Sequence, residues 1–175
     1  MSGLPFHPVK PVRGGKPLDG LFLRLAEDPK WVTQAKLDGQ RAIWDPNQAR
    51  LWSRRETPIT GPSLVLEALS QITVPLDGEY VPVKGSHGRD GTYWVFDLPE
   101  HKGPLSERWE ALSFLLKGLD APGLVNLCPS NVDWAEVTPN SWEGVVFKRC
   151  CSPYVKAMRP DKTTPSWVKY RAEWL

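Results

Sequence analysis

The 175-residue sequence predicts an α+β fold with largely antiparallel β-sheets and a few helices. Three observations carry that expectation. Short apolar and β-branched segments recur along the chain, each bounded by Pro, Gly, Asn or Asp. Only three stretches have the spacing of helices. Strands and helices do not alternate as regular β-α-β repeats, which disfavours a parallel sheet.

The elements follow in order. Residues 1–20 are rich in Pro and Gly (Pro5, Pro8, Pro11, Gly14, Gly15, Pro17) and read as an irregular arm lying over the domain. Leu21 to Ala26 forms a short helix. Trp31 to Lys36 and Arg41 to Asp45 are strands either side of a loop, and Leu51 to Arg54 is a third strand after the turn signal Asp45-Pro46-Asn47. A helix opens at Pro62-Ser63 and runs to Ser70. Val74 to Val83 is a strand whose ends are marked by Pro75 and Pro82. After the loop His87 to Gly91, Thr92 to Leu98 is a strand with Trp94, Phe96 and Leu98 on one face. Pro104 to Leu119 is the clearest helix, with Trp109, Leu112, Leu115, Leu116 and Leu119 on one stripe, Ser106 as N-cap and Gly118 near its end. Gly144 to Arg149 and Ser166 to Arg171 are the last strands.

Composition narrows the class. A hydrophobic fraction of 41% with 24% charged residues is that of an ordinary globular domain and not a disordered chain. No apolar run is long enough to cross a bilayer, and Met1 to Lys10 lacks the apolar core of a secretory signal, so a cytoplasmic protein is the expectation; a monomer is taken as its state. Cys128 stands alone and Cys150 and Cys151 are adjacent, a spacing that fits neither a zinc site nor a disulfide framework. Net charge is only +2, but the last thirty or so residues concentrate Lys148, Arg149, Lys156, Arg159, Lys162, Lys169 and Arg171. That is either a field for a phosphate-rich ligand or a solvated basic face. Nine tryptophans serve as base-stacking surfaces or, for most of them, as core.

The sharpest local feature is Lys36-Leu37-Asp38-Gly39-Gln40-Arg41. It is either an exposed turn with flanking charges or a site in which Lys36 acts as nucleophile toward an activated phosphorus. The second reading requires a neutral amine, hence a pKa lowered from about 10 by cations, a metal or desolvation, and makes Arg41 a phosphate or ribose ligand. Asp77 and Glu79 share a strand face. Glu143 to Lys148 passes from acidic to basic, although strict alternation puts Glu143 and Lys148 on opposite faces, so a bulge or bend is needed for both to serve one site. Lys169 and Arg171 lie on one face at period two, suited to gripping a phosphate. Phe96 is a base platform or a core residue.

In that order, the segments resemble the covalent nucleotidyltransferases: ATP-dependent DNA ligases, RNA ligases and mRNA capping enzymes. Lys36 to Arg41 matches Lys-x-Asp-Gly-x-Arg. Ser53-Arg54-Arg55 resembles the Ser/Thr-Arg segment that touches nucleic-acid phosphate, and Asp77-Gly78-Glu79 the motif whose Glu holds the ribose. Trp94 to Leu98 matches the motif whose aromatic residue stacks on adenine, here Phe96, and Glu143 to Lys148 the Glu-Gly motif linked to metal. Trp167 to Arg171 resembles the final Lys-x-Lys motif that contacts the α-phosphate, and Pro104 to Arg108 the stretch after the aromatic strand in DNA ligases. Two departures stand out: Arg171 replaces a Lys, and Gln34 replaces a Glu that reads the adenine amino group.

The resemblance implies an ATP-grasp-like nucleotidyltransferase fold, two largely antiparallel β-sheets flanked by helices, over residues 1–175, with ATP and Mg2+ (or Mn2+) as cofactors. It implies Lys36 as nucleophile with Lys148, Lys169 and Arg171 beside the phosphate. Gln34, Ala35, Leu37, Arg41, Glu79, Phe96 and Val146 would contact the nucleotide, Arg54 and Arg55 the nucleic acid, and Glu143 and Glu79 the metal. The implied partner is nicked duplex DNA, with RNA or a non-catalytic end-binding role as alternatives. The chain ends at Leu175, just past the final motif, so the OB-fold domain of such ligases is not expected within it: the sequence is a fragment of a longer ligase, a minimal single-domain enzyme, or one to which a separate protein supplies that function.

Overall fold

The computed structural model describes residues 4–157 and 161–174; Arg159 of the basic segment lies outside the described residues. The chain order is β1 (His7–Pro8), β2 (Lys10–Arg13), α1 (Gly20–Glu27), β3 (Trp31–Lys36), β4 (Gln40–Asp45), β5 (Arg50–Ser53), α2 (Ser63–Leu69), β6 (Leu76–Pro82), β7 (Gly91–Asp97), α3 (Leu105–Lys117), β8 (Val125–Leu127), β9 (Gly144–Arg149), β10 (Lys156–Ala157) and β11 (Thr163–Arg171), with short 3₁₀ turns at Trp134–Glu136 and Ala172–Trp174. One sheet has four strands in the order β2-β11-β9-β3, and a second has five in the order β5-β4-β6-β7-β8. Most pairings are antiparallel. The parallel ones are β2 with β11 and β7 with β8, so the expected α+β class with largely antiparallel sheets is what the chain adopts.

Period-two alternation assigns each face of the four-stranded sheet. Ala35 of β3, Val145 and Phe147 of β9, and Val168 and Tyr170 of β11 join Phe22 and Leu25 of α1 in one core. Their neighbours Gln34, Lys36, Val146, Lys148, Lys169 and Arg171 therefore face the other way. The five-stranded sheet repeats the device. Ala42, Trp44, Leu76, Tyr80, Tyr93 and Val95 pack with α2 and α3 in a second core, leaving Arg41, Glu79, Trp94 and Phe96 on the opposite face. The two polar faces meet, and between them lies the site. Among the described residues, no helix is long and apolar enough to cross a membrane.

Several local expectations are corrected. The N-terminal arm is not irregular: β1 pairs with β10, and β2 adds to the edge of the four-stranded sheet, where an edge strand accommodates Pro11. Ser106 is not the N-cap of α3. Pro104 holds that position without a side-chain cap, and the first-turn N–H groups of Leu105 and Ser106 donate instead to the carbonyls of Ser152 and Cys150, at 3.0 and 3.2 Å. Leu98 leaves the face of Trp94 and Phe96. A bulge in β7 pairs Asp97 with Asp77 and Val95 with Gly78, leaving Phe96 unpaired, and Leu98 joins the helix-covered core. Arg54 lies in the turn after β5, whose last residue is Ser53.

Candidate active site

A cavity of about 250 Å3 opens between the two sheets. Rungs of the four-stranded sheet order its floor. Lys36, Gly144 and Arg171 stand on one rung, Gln34, Val146 and Lys169 on the next, and Lys148 with Trp167 on a third. Lys36 and Arg171 are thus two strand spacings apart, about 10 Å between backbones, with long side chains reaching over Gly144. From the opposing sheet come Arg41 and Glu79, which face each other across β4 and β6, and Phe96 of β7. Ala35, Leu37 and Arg54 also border the space. Of the residues singled out in the sequence, Arg55 alone does not: it is exposed, and its backbone N–H donates to the Ser53 hydroxyl at 3.3 Å.

Lys36 ends β3, and its ammonium is hydrogen-bonded to the Glu143 carboxylate. Burial pushes its pKa down to about 8, helped by the positive charges of Arg171 and Lys169 and opposed by Glu79 and Asp38. Burial also raises Glu79 to about 7, against the pull of Lys36 and Arg41. Lys148 falls to about 8 because it is buried, with Asp97 opposing. Its ammonium lies 4.1 Å from the Trp167 ring centroid and 4.5 Å from that of Phe96, and donates to the Phe96 carbonyl at 3.2 Å. Among the described residues, two buried polar atoms of the cavity lining have no hydrogen-bond partner: Gln34 Oε1 and Arg171 Nε.

The alternation problem at Glu143 is solved by Gly144. Its φ of +152° is one that side-chain-bearing residues rarely adopt, and a Cβ there would meet the Tyr170 carbonyl oxygen at 2.0 Å. Glu143 precedes the strand, tied by its N–H to the Lys36 carbonyl at 2.7 Å and by its carbonyl to the Ala172 N–H at 2.8 Å. It therefore reaches Lys36 without obeying the parity of β9. Gly39 lets the backbone of β6 approach closely, since a Cβ would sit 2.4 Å from the Tyr80 carbonyl oxygen.

Arg41 is fully engaged within the protein. It grips Asp77 through Nε and Nη2 at 2.9 and 2.5 Å, and donates to the Val9 carbonyl through Nη1 at 2.5 Å. Asp77 also accepts from the Tyr154 hydroxyl at 2.5 Å. Arg41 is thus a half-buried strut of the cavity wall that ties the N-terminal arm to β6. Sequence reasoning missed Asp77 and Tyr154 in that role, and missed Lys10, Cys128 and Trp167 as cavity residues. Trp167 was within reach, since it shares strand parity with Lys169 and Arg171. Lys10 had no local signal, because only the pairing of β2 with β11 brings it there.

Among the described residues, no three His, Cys, Asp or Glu side chains gather into a metal cage. Glu79 and Glu143 do border the cavity with Lys36, and one or two carboxylates supplemented by substrate phosphates are a usual Mg2+ arrangement, so the donor set fits that ion.

No protein-family model matches the chain, and no curated protein matches it. Solved structures do. The ligase domain of LigD from M. tuberculosis superposes with a TM-score of 0.71 at 22% identity, covering 95% of this chain and 59% of its own. A Lig E DNA ligase, described as binding DNA with a minimal scaffold, gives 0.68 at 17% identity over 93% of this chain and 69% of its own. The ATP-dependent DNA ligase of bacteriophage T7 in complex with ATP gives 0.57 at 15% identity, over 95% and 69%. The chain thus spans about three fifths of the LigD ligase domain. With its two facing sheets and the cavity between them, it has the fold of the adenylation domain of ATP-dependent DNA ligases.

Proposed function

We propose that this chain is the nucleotidyltransferase core of an ATP-dependent polynucleotide ligase and that Lys36 carries the AMP. The observation that carries the reading is Lys36 itself, a half-buried lysine brought to a pKa of about 8 and lining a cavity rich in other cations. A neutral amine is required for attack on phosphorus, and a value near 8 leaves a useful fraction neutral at neutral pH.

In the first step, Lys36 Nζ attacks the α-phosphorus of ATP. The P–N bond forms, the P–O bond to the β-phosphate breaks, pyrophosphate leaves and the amine loses a proton. The 5′-phosphate of a nick then displaces the lysine to form an adenylylated end. Finally the 3′-hydroxyl attacks that 5′-phosphorus and AMP departs. Lys169 and Arg171 face the cavity beside Lys36 and stabilise charge on the non-bridging oxygens. Phe96 and Trp167 offer aromatic surface to the base, and the unpartnered Gln34 Oε1 accepts a hydrogen bond from its amino group. Arg54 takes nucleic-acid phosphate. Glu143 and Glu79 would hold Mg2+, which supplies charge neutralisation for the triphosphate and its leaving group. Lys148, buried between two rings and beside Asp97 at 3.8 Å, orients Phe96 and Trp167 in addition to its charge.

Nicked duplex DNA is the proposed substrate. The test is intact mass after incubation with ATP and Mg2+, beside Lys36→Ala and with GTP as competitor nucleotide. The expected result is one AMP adduct on the wild type alone, transferred on addition of nicked 5′-phosphorylated DNA. An unmodified wild type, with the cavity still binding a nicked duplex, would turn the reading to an end-binding module.

A further inference from the structure

Seven cationic side chains border the cavity and only two carboxylates, Glu79 and Glu143. Arg41 is neutralised by Asp77 and Lys148 lies beside Asp97. Lys10 and Arg171 pair with the exposed carboxylates of Asp161 and Glu173, and Lys36, Arg54 and Lys169 remain, still more positive charge than Glu79 and Glu143 offset. Lys36 and Arg171 stand on one rung, where the bond-making phosphorus is proposed to lie. Lys10 stands elsewhere. It belongs to β2, one edge of the four-stranded sheet, while Lys36 belongs to β3, the other edge. Its backbone is fixed by a hydrogen bond from its N–H to the Lys162 carbonyl at 2.8 Å. Its ammonium pairs with Asp161 at 2.5 Å, and that carboxylate's side chain is 79% exposed. Lys10 therefore has a solvated, exchangeable partner, whereas Arg41 has a buried one. Lys169 lies in the combined field of Arg171, Lys10 and Arg54, which adds to burial in lowering its pKa.

We propose that Lys10 is a phosphate-binding residue of this cavity, acting with Arg54 and Lys169 on a phosphate group that lies beyond the one attacked by Lys36. The inference rests on the nucleotidyl-transfer reading. In-line displacement puts nucleophile and leaving group on opposite sides of phosphorus, and the two edges of one sheet supply that opposition. The phosphate belongs to the β,γ-diphosphate of ATP or to the 5′ end of the polynucleotide, which share the same chemistry. Asp161 holds the ammonium in place until the phosphate replaces it.

The test is titration calorimetry of the full chain with ATP, AMP and inorganic tripolyphosphate, using wild type, Lys10→Ala, Lys10→Arg and Asp161→Ala. Sealing of a pre-adenylylated nicked duplex is measured alongside. Loss of one charge-assisted hydrogen bond predicts that Lys10→Ala weakens ATP and tripolyphosphate about tenfold with AMP unchanged, and that Lys10→Arg restores binding. That outcome assigns the phosphate to the nucleotide. A raised KM for the pre-adenylylated nick with unchanged nucleotide binding assigns it to the 5′ end. Asp161→Ala, which breaks the same ion pair but keeps Lys10, should bind phosphate as well as wild type or better. The inference is overturned if Lys10→Ala changes neither ligand class, if wild type fails to bind tripolyphosphate, or if Asp161→Ala reproduces the losses. A wild type that forms no lysyl-AMP yet loses polyphosphate affinity on Lys10→Ala would sink the ligase reading and leave Lys10 in place.

Discussion

Lys36 shows how a residue's neighbours decide its chemistry. A lysine at the end of an exposed strand would be an ammonium at neutral pH. Here burial and two cations disfavour the charged form, and the pKa falls to about 8. The folded protein favours the neutral amine as pH rises through that value, so the rate of AMP-adduct formation should climb about tenfold per pH unit below ~7 and level off above ~9. Arg171→Ala removes a charge that opposes the ammonium, so the midpoint of that profile should move up. A profile flat between pH 6 and 9 would mean that lysine deprotonation does not limit the step. Phe96 provides a second test: Phe96→Ala should weaken ATP binding about tenfold, the worth of one base-aromatic stack, as read by calorimetry. Lys36, Glu79, Phe96, Glu143, Lys148, Lys169 and Arg171, the residues expected at the site from the sequence, all border one cavity. The engagement of Arg41 with Asp77 and Val9 was not legible, because it depends on where β6 and the N-terminal arm lie.

At the scale of elements, the junction between α3 and β7 carries a fully buried ion pair. Arg108 is fully buried and holds Asp97 through Nε and Nη2 at 2.6 and 3.1 Å, while Nη1 donates to the carbonyls of Ser152 and Gly103 at 2.7 and 3.0 Å. One side chain thus locks the helix, the aromatic strand and the segment after β9. Arg108→Met would strand a buried carboxylate and cost about 3–5 kcal/mol, measurable by urea denaturation, and would leave Lys148 as the nearest cation to Asp97. A loss below 1 kcal/mol would mean that Lys148 replaces the guanidinium. The helix stripe of α3 was readable from its spacing. The carbonyls that satisfy its first turn were not, since they belong to residues some forty positions away.

For the whole molecule, the consequence of two sheets facing across a cavity is that a nucleotide between them ties both cores together. ATP at a hundred times its Kd should therefore stabilise the fold by ~2.7 kcal/mol, which corresponds to a rise in Tm of about 5–10 °C for a domain of this size. AMP should give less at equal concentration, because it lacks the phosphates that the cations at the cavity rim would hold. An ATP-independent Tm would exclude the cavity as a nucleotide site.

By itself the sequence determined the alternation along each strand, and with it which side chains of β3, β9 and β11 enter the core and which form a polar face. It also determined the chemistry those polar residues can perform. That much is local: a two-residue period and a set of functional groups survive whatever the rest of the chain does. Only the tertiary structure decided which strands lie side by side, so that Lys36 and Arg171 share a rung. It also decided that β2 joins a sheet edge and delivers Lys10, that a bulge sets Phe96 apart, and that Gly144 breaks parity to turn Glu143 onto Lys36. These depend on hydrogen-bond ladders between segments far apart in the chain, whose register comes from the packing of whole faces, and no short stretch of sequence contains that information.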